Sequence, residues 1–203
     1  MTPRVGPRLR DLTSADAGRI LDITRATGVF REEELVIADE VFHDAVAPTG
    51  PSGGVNPGTN PADPNPSRGA HEGRGVSPTH DEHPTPSRGA HEGRPYYALG
   101  AEVDGELVGW ICWGKTPCTE GTWDLYWLAV DPAAYRGGVA SALVTEMERR
   151  LAGVARLISV DTSGRPDYAP TRAFYLSHGY RDVARVPDFY APGDDQVIFT
   201  KAL

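Results

Sequence analysis

Short segments with regular hydrophobic spacing are separated by polar turns along this chain. Arg8 to Leu12 alternates apolar and polar residues and predicts a first strand. Thr13-Ser-Ala-Asp16 places an acid three positions after a hydroxyl residue, which is typical of a helix start, and Gly28 can end that helix. A second helix is predicted over Phe30 to Ala47, where apolar pairs recur at the helical period.

The pattern from residue 96 onward predicts alternating strands and helices. Two apolar runs, Tyr96 to Val103 and Glu106 to Trp113, flank Asp104-Gly105 and predict a β-hairpin. The other predicted elements are strands over 123–130, 155–160, 180–186 and 196–201, and helices over 139–152 and 171–178. The resulting order, β-α-α-β-β-β-α-β-α-β-β, predicts an α/β domain with a mixed sheet.

One long central segment lacks this spacing. The chain has 23 Gly and 18 Pro, about a fifth of its residues against roughly 12% on average. Residues 47–95 hold nine of these Gly and ten of these Pro, and they contain no Leu, Ile, Met, Cys or aromatic residue. Because such a segment cannot bury enough apolar surface to offset its ordering entropy, we predict a disordered low-complexity insertion. Its nonapeptide Pro66–Arg74 recurs letter for letter as Pro86–Arg94, which indicates a duplication within a linker.

The remaining 154 residues are enough for one domain, with 1–46 as its N-terminal part and 96–203 as the rest. The formal charge of −8 argues against nucleic-acid binding, since that function needs a basic face. No apolar run approaches the length of a transmembrane helix, and residues 1–10 lack the apolar core of a secretory signal. We therefore expect a cytoplasmic protein without membrane or nucleic-acid partners.

Metal binding is not expected either. Cys112 and Cys118 are too few for a disulfide framework or a Cys-rich zinc site. Four of the six His lie in the insertion, far apart and without an accompanying Cys: His71, His80, His83 and His91. His178 closes the second helical segment of the C-terminal half, where a His suits the helix dipole.

The segment from Leu128 to Leu143 carries the strongest functional signal. A strand is predicted to end at Val130, and a helix opens near Gly138 after a short loop. Gly137 and Gly138 have no Cβ, and the amides of the first helical turn point outward with the positive end of the helix dipole, which suits a pyrophosphate. Arg136 can add a direct phosphate contact. An ordinary strand-to-helix loop, with Gly needed for packing, explains these residues equally well.

This loop has neither the Gly-Lys-Ser/Thr of a P-loop nor the Gly-x-Gly-x-x-Gly of a dinucleotide site. Tyr135-Arg-Gly-Gly-Val-Ala140 resembles the coenzyme A loop of the GCN5-related N-acetyltransferases (GNAT superfamily), Gln/Arg-x-x-Gly-x-Gly/Ala after a strand ending in Val-x-Pro. Tyr135 stands where the family has Gln or Arg, and Arg136 follows one place later. A second block, Tyr168 to Tyr180, is similar to the family's Asn-x-x-Ala-x-x-x-Tyr-x-x-x-Gly-Phe motif, with Tyr175 on the Tyr.

The resemblance implies a single α/β domain whose mostly antiparallel mixed sheet contains a splayed central parallel strand pair, with about four helices around it. It implies acetyl transfer from acetyl-CoA to a primary amine by direct attack on the thioester, without a metal. The cofactor-binding part would be 96–203. The residues expected to bind coenzyme A are Leu128, Ala129, Val130, Tyr135, Arg136, Gly137, Gly138, Val139, Ala140, Ser141, Thr171 and Phe174.

The family supplies a candidate acid, and the chemistry that the resemblance implies also needs a base. Tyr175 is expected to protonate the leaving thiolate, and Asp124 is favoured as the base that takes the amine proton. Glu34, Glu120 and Asp161 are alternative bases, and a solvent-facing carboxylate is the simpler interpretation of Asp124. The aromatic residues of the central strands either line the acceptor site or pack in the core: Trp110, Trp113, Trp123, Tyr126 and Trp127.

The acceptor is less well defined than the donor. A small-molecule amine is expected, and a protein or peptide N-terminus or lysine is the alternative, with a weak likeness to N-terminal acetyltransferases in Asp188-Phe-Tyr190. A non-catalytic acyl-CoA-binding module is a third hypothesis, because a fold does not fix a function. A homodimer is compatible with all three.

Overall fold

The computed structural model describes residues 6–47 and 95–203. The predicted insertion, 47–95, therefore lies outside the described residues except for its two end positions, and the domain boundaries drawn around it stay a prediction. Four α-helices are present in the described part: α1 (Ala17–Ala26), α2 (Glu32–Val46), α3 (Val139–Leu151) and α4 (Ala169–Ser177).

Seven strands form one sheet in the described residues. They are β1 (Arg8–Asp11), β2 (Tyr97–Val103), β3 (Glu106–Lys115), β4 (Thr122–Val130), β5 (Leu157–Ser163), β6 (Arg181–Ala191) and β7 (Asp194–Ala202). Their order across the sheet is β1-β2-β3-β4-β5-β7-β6. Only β4 and β5 are parallel, so the predicted mixed and mostly antiparallel sheet is confirmed.

The local signals act as the sequence predicts. Thr13 and Asp16 form a capping box at a 3₁₀ turn that leads into α1, and Gly28 follows that helix with φ of 71°. Asp104 and Gly105 both have positive φ, 53° and 85°, as a tight hairpin turn between β2 and β3 requires. β5 begins two residues later than predicted and ends at Ser163, which brings Asp161 into the strand.

The two faces of the sheet carry separate hydrophobic clusters. On one face, α3 contributes Leu143 and Met147 to a cluster with the central strands, and Tyr175 of α4 joins it. On the other face, Ile20 of α1 and Phe42 of α2 pack against the middle of the sheet. Helices on both faces of the sheet bury its central strands, because the apolar residues of those strands point in both directions.

A buried polar contact fixes α1 against the sheet. Trp110 Nε1 donates to Thr24 Oγ1 at 3.0 Å, and Thr24 Oγ1 donates to Ile20 O at 2.8 Å. Both Thr24 and Trp110 are fully buried, so this bond satisfies groups that would otherwise be costly to remove from water. The contact places the loop after α1, with Val29 and Phe30, above the central strands.

Candidate active site

The loop between β4 and α3 forms the start of a helix with free amides. Arg136 and Gly138 both have positive φ, 63° and 77°, and Gly138 is the N-cap of α3. The first helical hydrogen bond runs from Ala142 N to Gly138 O at 2.9 Å, so the amides of 138–141 precede the bonded turns. These donors and the positive end of the helix dipole favour an anion at this position.

Asp131 holds the start of this loop in place. Its amide donates to Val108 O at 2.8 Å, and its carboxylate accepts from Ala133 N at 3.0 Å. The same carboxylate accepts from Arg19 Nη2 at 2.7 Å, while Arg19 Nε donates to Leu107 O at 2.9 Å. The Ala133 amide first, and the Arg19 guanidinium second, lower the pKa of Asp131 below its ordinary value. The loop is thus tied to both α1 and β3.

A cavity of about 640 Å³ adjoins this loop, and we call it the loop cavity. Eleven of the twelve predicted coenzyme A-binding residues line it: Leu128, Ala129, Val130, Tyr135, Arg136, Gly138, Val139, Ala140, Ser141, Thr171 and Phe174. Gly137 is not among the residues that line the cavity. Its amide donates to Ala134 O at 3.2 Å, and a Cβ at this position would lie 3.1 Å from the same oxygen. Gly137 therefore serves the packing of the turn.

The central parallel strands separate beside the loop cavity. β4 and β5 pair only over 122–125 and 157–160. Leu128, Ala129 and Val130 lie beyond the last of these pairs and line the loop cavity, while β3 pairs with their other edge. An edge without a β5 partner offers backbone donors and acceptors to an extended ligand. The predicted splayed pair is confirmed.

Tyr175 lies on α4 and lines the loop cavity. Its side chain is only 3% exposed, and it packs against the rings of Phe174, Tyr180 and Phe199 at centroid distances of 5.4, 5.5 and 6.0 Å. Burial, with a smaller contribution from Tyr168, raises the pKa of Tyr175 above its ordinary value. The phenol is therefore protonated at neutral pH, as a proton donor must be.

Asp124 lines a second cavity of about 580 Å³ and not the loop cavity. We call it the acidic cavity, because its lining carries five carboxylates and two guanidinium groups: Glu33, Glu34, Asp124, Asp161, Asp194, Arg31 and Arg165. Val29, Phe30 and Tyr168 line both cavities, which therefore adjoin. The two predicted catalytic residues, Tyr175 and Asp124, lie in neighbouring cavities.

Three of the four candidate bases line the acidic cavity, and Glu120 does not. Asp124 Oδ2 accepts from Thr116 Oγ1 at 2.7 Å and from Tyr126 Oη at 3.4 Å. Burial raises the pKa of Asp161; the hydrogen bond from Gln196 Nε2 at 2.8 Å opposes that shift, and the charge of Asp124 adds to it. Burial thus raises the proton affinity of Asp161 towards the range that a base needs.

The group around Asp194 was not predicted from the sequence. This carboxylate is 4% exposed and accepts from Ser163 Oγ at 2.5 Å, and nitrogens of Arg31 and Arg165 lie 3.6 and 3.9 Å from its Oδ2. Its members come from the loop before α2, the end of β5 and the start of β7, and none belongs to a local motif. The available signal was weak: polar residues at two strand ends that meet only in the folded sheet.

The aromatic residues divide between the site and the core. Tyr126 and Trp127 line the acidic cavity. Trp110, Trp113 and Trp123 are buried, with at most 4% of their surface exposed. Tyr190, in the tripeptide noted above, also lines the acidic cavity, and burial raises its pKa to about 12.

His178 joins α4 to the first turn of α3, and we call the free amides of 138–141 in that turn and the loop that carries them the cradle. It is the C-cap of α4, a position where a His suits the helix dipole, and its Nδ1 lies 2.9 Å from Phe174 O. Its Nε2 lies 3.1 Å from Ser141 Oγ, in the first turn of α3. His178 therefore contacts one of the residues predicted to bind coenzyme A.

Within the described ranges, 6–47 and 95–203, no group of three His, Cys, Asp or Glu side chains is placed to hold a metal ion. The four insertion His considered above lie outside those ranges. No helix of the described part is both long and apolar enough to cross a membrane.

Comparison with known proteins gives a family match. The model of the Acetyltransferase (GNAT) family matches residues 67–180, more than half of the chain. An uncharacterised N-acetyltransferase from Methanocaldococcus jannaschii is 29% identical over 105 residues, which are 50% of this chain and 63% of that relative. The aligned part of the chain thus spans less than two thirds of this relative.

Solved structures share the fold. A protein from Desulfovibrio desulfuricans, assigned to the GNAT acetyltransferases, superposes with a TM-score of 0.69 and 27% identity over 97% of this chain and 99% of its own. The ribosomal-protein-S18-alanine N-acetyltransferase from Escherichia coli superposes with a TM-score of 0.61 over 97% and 93%, at 14% identity. At that lower identity the likeness concerns the fold alone.

Proposed function

The chain belongs to the GNAT acetyltransferase family, and from that membership we propose that it is an acetyl-CoA-dependent N-acetyltransferase. The observation that carries this proposal is the composition of the loop cavity. Its lining brings together the free amides at the start of α3, the edge of β4 without a β5 partner, and Tyr175. The free amides suit a pyrophosphate, and the free edge of β4 suits an amide-bearing arm. Tyr175 can protonate a leaving thiolate.

The donor end is supported by the backbone at Gly138. Its φ of 77° is a conformation that a residue with a Cβ rarely adopts, and a Cβ there would point into space free of other described atoms. The glycine is therefore not explained by packing of the described residues. The positive φ favours glycine here, and the open space before it leaves room for a phosphate to approach the amides of 138–141, with Arg136 next to the phosphates.

We propose a small, positively charged primary amine as the acceptor. The acidic cavity adjoins the loop cavity, carries more carboxylates than guanidinium groups, and has aromatic walls from Phe30, Tyr126 and Trp127. Such a lining attracts a cationic amine by charge and by cation–π contact. A volume of about 580 Å³ lies within the range of small-molecule sites.

The chemistry assigns one proton to each cavity. The amine must lose a proton before its nitrogen attacks the thioester carbonyl. We assign that proton to Asp161, because it lines the acidic cavity and burial raises its proton affinity. As the C–N bond forms, the C–S bond breaks, and Tyr175 gives its proton to the departing sulfur. The amide nitrogen loses its second proton in the same step, and this proton balances the one that Tyr175 gives up. An amide N–H on the free edge of β4 can stabilise the carbonyl oxygen as it becomes negative.

A thiol-release assay with acetyl-CoA and a panel of acceptors tests this function. The panel contains diamines, amino acids, a peptide with a free N-terminus, and the same peptide N-terminally blocked with an internal lysine. We expect turnover of diamines with the lowest KM. Preference for either peptide would replace the small-molecule acceptor with the protein alternative, and binding of acetyl-CoA without turnover of any amine would favour the non-catalytic module.

A further inference from the structure

His178 is bonded at both ring nitrogens, and its partners fix the tautomer of the neutral ring. Nδ1 lies 2.9 Å from Phe174 O, which can only accept, and 3.2 Å from Ser177 Oγ, whose own hydrogen goes to that same carbonyl. We therefore place the ring hydrogen on Nδ1. Nε2 is then a bare lone pair 3.1 Å from Ser141 Oγ, and the Ser141 hydroxyl must donate its proton to it. Ser177 Oγ also donates to Phe174 O at 2.7 Å, so this carbonyl accepts from both Ser177 Oγ and His178 Nδ1.

The direction of the Ser141 proton matters because Ser141 lines the loop cavity at the start of α3. When His178 is neutral, the Ser141 hydroxyl donates its hydrogen bond to the ring, and only its lone pairs face the cavity. Lone pairs oppose an anion. With protonated His178, Nε2–H donates to Ser141 Oγ, and the hydroxyl proton is free to turn towards the cavity as a donor.

We propose that His178 is a positioning residue that links its own protonation to the affinity of the loop cavity for a pyrophosphate. This inference rests on the proposed function, since that function places the pyrophosphate of coenzyme A beside Ser141. A donor turned towards an anion replaces a repelling lone pair, and it carries the added strength of a charge-assisted contact. By linkage, binding of the ligand and protonation of His178 favour each other.

The groups around His178 are an aromatic ring, a paired lysine and a phenol. Phe174 covers one side of the ring at a centroid distance of 4.1 Å. Lys201 Nζ donates to the backbone oxygen of His178 at 2.8 Å, and Glu148 accepts from that ammonium at 2.7 Å, so this cation is already paired. Ser141 of α3 is the contact of Nε2, and Tyr175 of α4 is a neutral phenol at these pH values. An anion in the cradle is therefore the strongest new charge that the ring would meet.

The test measures binding of dephospho-coenzyme A by calorimetry between pH 5.5 and 8. This probe keeps the pyrophosphate and lacks the terminal phosphate monoester, which itself titrates near pH 6. We expect Kd to fall roughly tenfold on acidification, because one charge-assisted hydrogen bond to the pyrophosphate replaces a repelling lone pair. Repeating the measurement in buffers of different ionisation enthalpy should show uptake of a fraction of a proton on binding.

Two variants separate the proposal from a structural role. His178→Gln keeps a side-chain donor and acceptor without a titrating charge, and Ser141→Ala removes the hydroxyl and leaves the ring. His178→Gln should still bind at pH 8, and both variants should lose the pH slope and the proton uptake. As a readout that needs no variant, the titration midpoint of the His178 ring in the NMR spectrum should rise when dephospho-coenzyme A binds.

The outcomes are distinct. An equal pH slope in the wild type and in both variants, or an unchanged ring titration in the complex, would overturn the linkage while leaving the transferase intact. Absence of binding at every pH would instead overturn the proposed function and the linkage with it.

Discussion

Arg19 and Asp131 lie 112 positions apart in the chain and meet with 2.7 Å between Nη2 and Oδ2. This ion pair fixes the first residue of the cradle loop to α1, while the same arginine holds Leu107 O through Nε. A loop that is already ordered before the ligand arrives binds a phosphate more tightly, because it loses less conformational entropy on binding.

Arg19→Gln should therefore weaken acetyl-CoA binding more than it slows the chemical step. A glutamine is shorter and uncharged, so it cannot donate to the Asp131 carboxylate and to Leu107 O at the same time. The start of the loop then becomes mobile. We expect Kd for coenzyme A to rise by up to roughly tenfold, one charge-assisted hydrogen bond being worth about 1.5 kcal/mol or more. Fluorescence or calorimetric titration measures the change.

Arg25→Gln is the matched control on the same helix. Arg25 lies 3.5 Å from Glu32 in an exposed pair and does not contact the loop. An equal loss of affinity in both variants would mean that the effect comes from α1 as a whole and that the Asp131 contact is not responsible. A cycle with Asp131→Asn gives the coupling energy of the pair directly.

Gly138→Val should abolish coenzyme A binding. The valine side chain would project into the space from which the phosphates approach the amides of α3. The positive φ also adds strain, at a cost of about 1–2 kcal/mol in stability. Calorimetric titration with coenzyme A measures the loss.

Gly153 provides a control of the same conformation. It has φ of 76° at the other end of α3, and a Cβ there also meets no described atom within 4 Å. Gly153→Val should lose a similar amount of stability in thermal unfolding and keep its affinity for coenzyme A. If Gly153→Val bound as poorly as Gly138→Val, strain in α3 and not the cradle would explain the loss.

Tyr175→Phe should lower kcat by about a hundredfold or more, with little change in Kd for acetyl-CoA, because the phenol proton is lost and the ring packing is kept. Its neighbour Tyr180 is also buried, 5.5 Å away between ring centroids, and lines neither cavity. Tyr180→Phe should leave kcat within a few fold. Stopped-flow thiol release separates the chemical step from product release, and an unaffected chemical step in Tyr175→Phe would remove Tyr175 from the mechanism.

The donor half of the site could be predicted from the sequence because its residues are local. The free amides come from one strand-loop-helix segment, and Gly138 is recognisable in that segment by its context. Gly138 and its neighbour Gly137 differ in their hydrogen bonding, because the Gly137 amide donates to Ala134 O and closes the turn. That distinction depends on backbone angles, which the letters do not specify.

The acceptor half could be predicted only in part. Asp124, Asp161 and Glu34 were candidates because they lie near strand and helix ends, whereas Asp194 and its contacts with Ser163 and Arg165 depend on which strands pair. β7 lies between β5 and β6, and this antiparallel pairing places Asp194 beyond the end of β5. No spacing within the sequence encodes that pairing, since the partners lie about thirty residues apart.

Asp161→Asn and Asp124→Asn should differ in their pH profiles. A base acts only when ionised, so the rate falls as pH drops through the pKa of the base, and the raised pKa of Asp161 moves that fall to higher pH than for an ordinary aspartate. Asp161→Asn should lower kcat/KM by about a hundredfold or more and remove the acid limb. Asp124→Asn removes a neighbouring negative charge, so it should shift the acid limb to lower pH and keep it. The opposite pattern, with the acid limb lost in Asp124→Asn and kept in Asp161→Asn, would make Asp124 the base and return the assignment to the residue that the sequence favours.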